Sequence, residues 1–354
     1  MDENFVFSDF FPSFVLFILL ISSVFVSLSV RGVAVQAALA SLRLLGWLGA
    51  AHALLLLVQL LEWNILGSFG TLNPLGVLSK YGPYGTYYGP VIWDSIYRPN
   101  GLFSEPSAAA WFTGLALAGT LLRSKLTGQP VRMIVLLQLV GMFSTASLSG
   151  AVNAVVILLV WLALKLPLRI NGTYAIGAAI AALLLVYSLI YISGRSEELT
   201  TPGTSMYVRI VAPTILVYDV LVNYPFGLVF GHQDFINTRD YFVRNDALEN
   251  AGAVDNGFHF IIIYFGWMGV ALLGYVLFRA FRLFLMKDPV ILIFVATALA
   301  VSQSGAVWAP NYILIFVYML VVGRALQGLP VHDALRSRGS AHNGGLRPRF
   351  SRSF

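Results

Sequence analysis

The sequence predicts an all-α polytopic integral membrane protein with about nine transmembrane helices, and three observations support this. Of the 354 residues, 58% are hydrophobic and only 11% are charged, and mean hydropathy is +0.79, far from the composition of soluble domains. The apolar residues come in runs long enough to cross about 30 Å of hydrocarbon as helices. The basic residues are distributed unevenly between the two sets of breaks that separate those runs. A closed barrel is excluded, because its strands alternate in and out over about 10 residues instead of staying apolar on every side. With no cysteines there is no disulfide framework, thiolate nucleophile or thiolate metal site.

Taken in order, hydropathy predicts spans over 11–30, 44–61, 106–122, 132–148, 150–165, 173–193, 257–278, 289–308 and 310–323. The first run follows Asp2, Glu3 and Asp9 and has no basic segment before it, so it is expected to be a retained span and not a cleaved signal peptide. With the N-terminus outside, the inner segments hold 16 of the 22 Lys and Arg residues, and only Asp288 and Asp333 of the 16 acids. That bias fits nine spans with the C-terminus inside. It also accounts for most of the +6 net charge, so nucleic acid need not be invoked. Residues 1–323 are expected to form one transmembrane domain. Residues 324–354, with arginines from Arg324 to Arg352, are expected to form a disordered basic tail that can touch anionic head groups.

Two outer segments, 62–105 and 194–256, are too long to be plain connectors, and long loops with a pattern of their own are usually functional. The first is rich in Gly, Pro and Tyr between Tyr81 and Pro90. Its rings suit the membrane interface or stacking on sugars. The second contains the apolar stretch 204–223, interrupted by Pro213 and carrying Arg209 and Asp219. It is expected to be an interfacial or re-entrant helix pair, since a further full crossing would reverse the charge bias.

The spans hold almost no ionisable group at mid-depth. His52 is the clear exception, and is expected to hydrogen-bond between helices. Transporters of small solutes usually place such groups at the midplane, so the chemistry is expected at the outer surface. Neither a GxxxxGK[ST] loop nor a GxGxxG turn is present, and the inner loops are too short for a nucleotide domain. No HExxH or outer DxD pair offers a metal a home, and no cofactor is expected.

What remains outside is Arg98, Glu105, Arg195, Arg209, His232, Arg239, Arg244, Asp255 and His259. Arginine forks match phosphate oxygens and keep their charge in a dry setting, which suits a diphosphate at a membrane edge. A carboxylate or histidine beside them can take a proton from an attacking hydroxyl. Glu105, Asp255 and His259 are the candidates for that base. The arginines and His232 are the candidates for substrate binding. Asp255 and His259 are spaced i, i+4 and would share a helix face if the helix has begun by then. Plainer roles exist for each: Arg98 snorkelling, Glu105 complementing a helix N-terminus ahead of Pro106, and Arg195, Arg239 and Arg244 pairing with nearby acids.

The segment Arg98-Pro-Asn-Gly-Leu-Phe-Ser-Glu105-Pro106-Ser107, then Gly194-Arg195, Arg209, the turn Asn223-Tyr-Pro-Phe-Gly-Leu-Val-Phe-Gly231, Asp255-Asn256-Gly-Phe and Gly266-Trp-Met-Gly269 resemble the O-antigen polymerase and ligase superfamily of Wzy-type polymerases. The resemblance spans roughly 95–275. It implies a C-type glycosyltransferase fold in the bacterial inner membrane with a periplasmic active site. In that scheme arginines of the long loop, here Arg209 and Arg195, hold the diphosphate of an undecaprenyl-linked oligosaccharide. Donor and acceptor would both be lipid-linked repeats, and a flippase and a chain-length regulator would be pathway partners. The ligase branch carries His-Asn where this chain has Asp255-Asn256, which favours a polymerase. The expected enzyme is inverting and metal-independent. The alternatives are ligase-type transfer of finished polymer, and transport of lipid-linked sugars.

Overall fold

A computed structural model describes residues 35–66, 98–103, 106–165, 196–201, 204, 207–227, 256–302, 318 and 321–327. The described residues are helical or in turns, with no strand among them. The expected spans 11–30 and 173–193, and most of 310–323, lie outside them, as does the Tyr-rich stretch of the first long loop. Eight α-helices order what is described: α1 (Val35–Leu66), α2 (Pro106–Thr127), α3 (Arg132–Ser144), α4 (Leu148–Lys165), α5 (Ala212–Asn223), α6 (Gly257–Phe265), α7 (Trp267–Leu285) and α8 (Ile291–Ser302).

The hub is α2, against which α1, α3, α4 and α8 all pack. Its sequence explains why. Pro106 stands at the first helical position, where a missing N–H costs nothing. The Ala, Gly, Ser and Thr residues that follow let neighbouring backbones approach closely, which is how helices associate where lipid removes the hydrophobic drive between them. Nearly all of α2 is buried, from Ala109 and Ala110 to Leu122 and Leu126. By length and composition, Val35–Glu62, Leu148–Lys165 and Trp267–Leu285 are the described helices apolar enough to cross a membrane. Because α2 faces protein on every side and not lipid, it does without their hydropathy.

Polar side chains knit this bundle. Buried Gln138 of α3 donates through Nε2 to the carbonyl of Gly46 at 3.0 Å and to Thr120 Oγ1 at 3.3 Å, joining α3 to α1 and α2. Close crossings flank it. A Cβ on Gly141 would lie 2.5 Å from Ala53 Cβ and 2.8 Å from Ala53 Cα. Gly141→Leu is therefore expected to cost about 1–3 kcal/mol by overpacking, read as a lower melting temperature of the purified protein. An unchanged value would show that the α1–α3 crossing tolerates a side chain.

Two expectations about the outer segments change. The stretch 204–223 is not a pair of helices broken at Pro213. A π turn over Tyr207–Val211 runs straight into α5, with Pro213 near its start. A proline cannot donate to the carbonyl four residues back and its ring crowds that carbonyl. The wider π turn accommodates both problems without ending the helix.

The expected span 257–278 is also not one helix. It splits at Gly266, which has φ +56, into the nine-residue α6 and the 19-residue α7. The bend is sharp enough that a Cβ on Gly269 would meet the Ile261 carbonyl and lie 2.9 Å from Ile262 Cα. In a straight helix, residues eight apart stand about 12 Å from each other. Of the two, α7 is the one long and apolar enough to cross a membrane, and its Trp267, Leu272, Leu277 and Phe278 are exposed, as suits contact with lipid.

Candidate functional site

The loop Arg98–Phe103 is fastened to α1. Gly101 N–H donates to Gln59 Oε1 at 2.9 Å, and Gln59 Nε2 donates back to the Gly101 carbonyl at 3.3 Å. Asn100 closes the turn from within, its Nδ2 donating to the Phe103 carbonyl at 2.8 Å while Phe103 N–H donates to the Asn100 carbonyl at 3.0 Å. Gly101 carries φ +61, a left-handed conformation that glycine adopts freely and other residues adopt at a cost.

His52 lies beneath this turn. Its Nδ1 is 3.1 Å from Thr113 Oγ1, and the Thr113 hydroxyl donates its single proton to the Ala109 carbonyl at 2.9 Å. Thr113 must then accept from His52, so Nδ1 carries the ring proton. The expected bond from His52 across helices is present. Phe103 and Phe112 meet the imidazole edge-on, with centroids at 5.2 and 5.4 Å. Nε2 is buried without a hydrogen-bond partner among the described residues and faces Gly101, where an added Cβ would collide with it. The half-buried Arg98 is therefore carried on a turn held from below by a ring and from the side by an amide.

Gln59 and Glu62 were missed in the sequence. Position 62 reads there as the first residue of a loop, whereas α1 continues to Leu66 and leaves Glu62 only 1% exposed. The signal was its spacing: His52, Leu56, Gln59 and Glu62 recur every three or four residues and so line one face. A carboxylate at that depth, one turn beyond the amide that holds Gly101, joins the candidates for proton transfer.

The second group is built from the other long loop. Helix α5 packs on α6 through Tyr207, Leu216, Val220, Phe260, Ile263 and Tyr264. Arg209 lies in the π turn that leads into α5. Across this contact His259 Nε2 stands 3.4 Å from Thr214 Oγ1, and Thr214 donates to the Ile210 carbonyl. By the same count of protons, His259 is the donor.

The expected pairing of Asp255 with His259 falls on a residue outside those described. The N-cap of α6 is Asn256, with φ −151 and Oδ1 accepting from Phe258 N–H at 3.0 Å, so the helix begins after Asp255. Asn and Asp are both good caps, but only the residue just before the helix can act.

The two groups are joined through α8, which packs on both α2 and α6. Arg98, the Arg209 turn and His259 are thus placed. Glu105, Arg195, His232, Arg239, Arg244 and Asp255 lie outside the described residues.

The turn after α5 locks onto the bend between α6 and α7. Trp267 N–H donates to the Pro225 carbonyl at 3.0 Å. Gly227, with φ +80, lies against the Tyr264 carbonyl and 2.5 Å, measured from an added Cβ, from Gly266 N. The Asn223–Gly231 and Gly266–Gly269 stretches singled out in the sequence are therefore two halves of one backbone clasp as far as Gly227, which fixes the angle between the helices bearing Arg209 and His259.

The chain matches the model of the WcaD colanic acid polymerase family over residues 5–325. A putative colanic acid polymerase of Escherichia coli strain K12 is 25% identical over 245 residues, which cover 65% of this chain and 58% of that relative. The chain thus spans 58% of the relative's length in the aligned region. No solved structure matches it.

Proposed function

Because the chain belongs to the WcaD colanic acid polymerase family, as the Wzy-type resemblance leads one to expect, we propose that it is a membrane glycosyltransferase that joins oligosaccharide repeat units carried on undecaprenyl diphosphate into an exopolysaccharide. The observation that carries this is the packing of α5, with Arg209 in its π turn, against α6 with His259. This packing joins the π turn that carries Arg209 and the helix that carries His259 into one unit.

In this proposal Arg209 and Arg98 hold the donor diphosphate, with Arg195, Arg239, Arg244 and His232 contributing from the same loops. The acceptor hydroxyl attacks the anomeric carbon from the face opposite the diphosphate. The C–O bond forms as the sugar–phosphate bond breaks, and the configuration inverts. The hydroxyl proton passes to Glu105, Asp255 or His259, and undecaprenyl diphosphate leaves with its charge spread over the arginines. Preorganised cations of this kind can supply much of the transition-state stabilisation, so the step needs no metal. The active face is the periplasmic side of the inner membrane, with the N-terminus on that side and the C-terminus in the cytoplasm. A flippase and a chain-length regulator act in the same pathway.

Arg209→Ala is expected to lower polymer yield by about 10²-fold or more, the scale seen when one charge-stabilising donor is removed, at unchanged protein level. Polymer of normal length and yield would sink the assignment. The intermediate that accumulates in cells lacking the gene distinguishes this activity from its ligase relative. Single lipid-linked repeats are expected, whereas long lipid-linked polymer would point to ligation.

A further inference from the structure

The end of the bundle opposite the Arg98 loop carries a second cluster of charge. Lys125 stands about 30 Å along α2 from Pro106, at 1.5 Å per residue. Its Nζ donates to the Leu164 carbonyl at 3.4 Å, beside Lys165, whose own Nζ lies 3.6 Å from the centroid of the Trp161 ring. Lys287 occupies the connection between α7 and α8, with φ +53.

Leu126 and Leu164, next to Lys125 and Lys165, and Val290, three residues beyond Lys287, are buried in one hydrophobic cluster. Three junctions distant in sequence therefore converge. Burial first, and then the charges of Lys165 and Lys287, push the Lys125 ammonium below its usual range, so both lie close enough to Lys125 to repel it. Gly323 lies 3.5 Å, measured from an added Cβ, from Val290 Cγ1, which brings exposed Arg324 to the same end.

Against these cations, Asp288 is the one acid in 106–165 and 256–302. One of its oxygens accepts from Val290 N–H at 3.0 Å. Beside the lysines, Leu162, Phe281 and Met286 are exposed. A cationic cluster bordered by apolar surface suits an amphiphile, with phosphate on the ammonium groups and acyl chains along the helices.

We propose that Lys125, Lys165 and Lys287 form a binding site for the phosphate of an anionic phospholipid headgroup in the leaflet at this end of the bundle. Basic residues at a membrane surface contribute about 1 kcal/mol each toward anionic lipid, and clusters between helix ends concentrate that attraction. The site is distinct from the Arg98 and Arg209 groups and independent of the glycan chemistry proposed for them.

The test is thermal unfolding of the purified full-length chain in detergent, titrated with phosphatidylglycerol, with phosphatidylcholine, and with inorganic phosphate. Phosphatidylglycerol alone is expected to raise the melting temperature in a saturable way, since a ligand of the folded state stabilises it by mass action. Lys125→Gln and Lys287→Gln, made singly, are each expected to weaken the apparent lipid affinity about fivefold, which is the contribution per basic residue converted by RT. Arg132→Gln, on α3 at the same end, is expected to leave the response intact. Equal shifts with phosphatidylcholine, an undiminished response in both lysine variants, or a loss as large with Arg132→Gln would overturn the site. A shift reproduced by inorganic phosphate would make it a soluble-anion site and overturn the lipid assignment. Activity plays no part in the readout, so failure here leaves the polymerase proposal standing.

Discussion

Gly101→Ala is expected to abolish polymer formation at normal protein level, and Gly101→Ala combined with His52→Ala to restore part of it. The new methyl group would collide with His52 Nε2 and lie 2.8 Å from His52 Cδ2. At φ +61 an alanine also bears the left-handed penalty of about 1–2 kcal/mol, to which overpacking adds about 1–3 kcal/mol. The imidazole cannot easily give way, because Thr113 holds Nδ1 and two phenyl rings flank it. The turn must move instead, breaking both bonds to Gln59 and carrying Arg98 with it. Removing the ring opens the space but leaves the φ penalty, hence partial recovery. Polymer yield, with protein level measured by immunoblot, decides the matter. Normal yield from the single variant would show that the turn need not hold this conformation. A double variant no better than the single would show that the ring is not the obstacle.

Gly266→Ala and Gly227→Ala are each expected to destabilise the chain by about 4 kcal/mol or more, a size reserved for changes that create unrelievable strain. At both positions the atoms an added Cβ would meet belong to backbone: the Pro225 carbonyl for Gly266, and the Tyr264 carbonyl and Gly266 N for Gly227. No shortening of a side chain elsewhere can relieve them, in contrast with Gly101. Both also sit at positive φ. Loss of monodisperse protein on detergent extraction is the expected result. Gly274→Ala serves as the internal control, since nothing among the described residues lies within 4 Å of its added Cβ and helical Gly→Ala gains about 0.5–1 kcal/mol. If Gly266→Ala behaves like Gly274→Ala, the clasp does not set α5 against α6.

The helices that face lipid were legible because hydropathy reports that contact directly. The expected span 150–165 corresponds to α4, and 44–61 falls within α1. Where a segment must also meet a protein partner, hydropathy can find the helix, as 106–122 found α2, without showing where it bends. Residues 257–278 are apolar apart from His259, yet they bend at Gly266 because the 224–227 turn supplies a partner for the backbone there, and no local pattern announces a partner forty residues away. Pro213 reads as a breaker, but a π turn one step earlier removes the clash. The start of the helix bearing His259 was fixed only in the fold, where Asn256 takes the cap.

Composition, hydropathy and the order of short motifs were enough to determine that this is a helical membrane protein with the traits of a polysaccharide polymerase. Those properties follow from transfer of side chains into hydrocarbon and from charge at its borders, both nearly additive along a chain. The tertiary structure alone decided that α2 is the hub, that His52 and Gln59 hold the Arg98 turn, that Glu62 is buried, and that two glycine turns clasp to set α5 against α6. Each of these depends on which backbone comes within contact distance of which side chain. That is decided by packing between distant segments, where a single Cβ reverses the outcome.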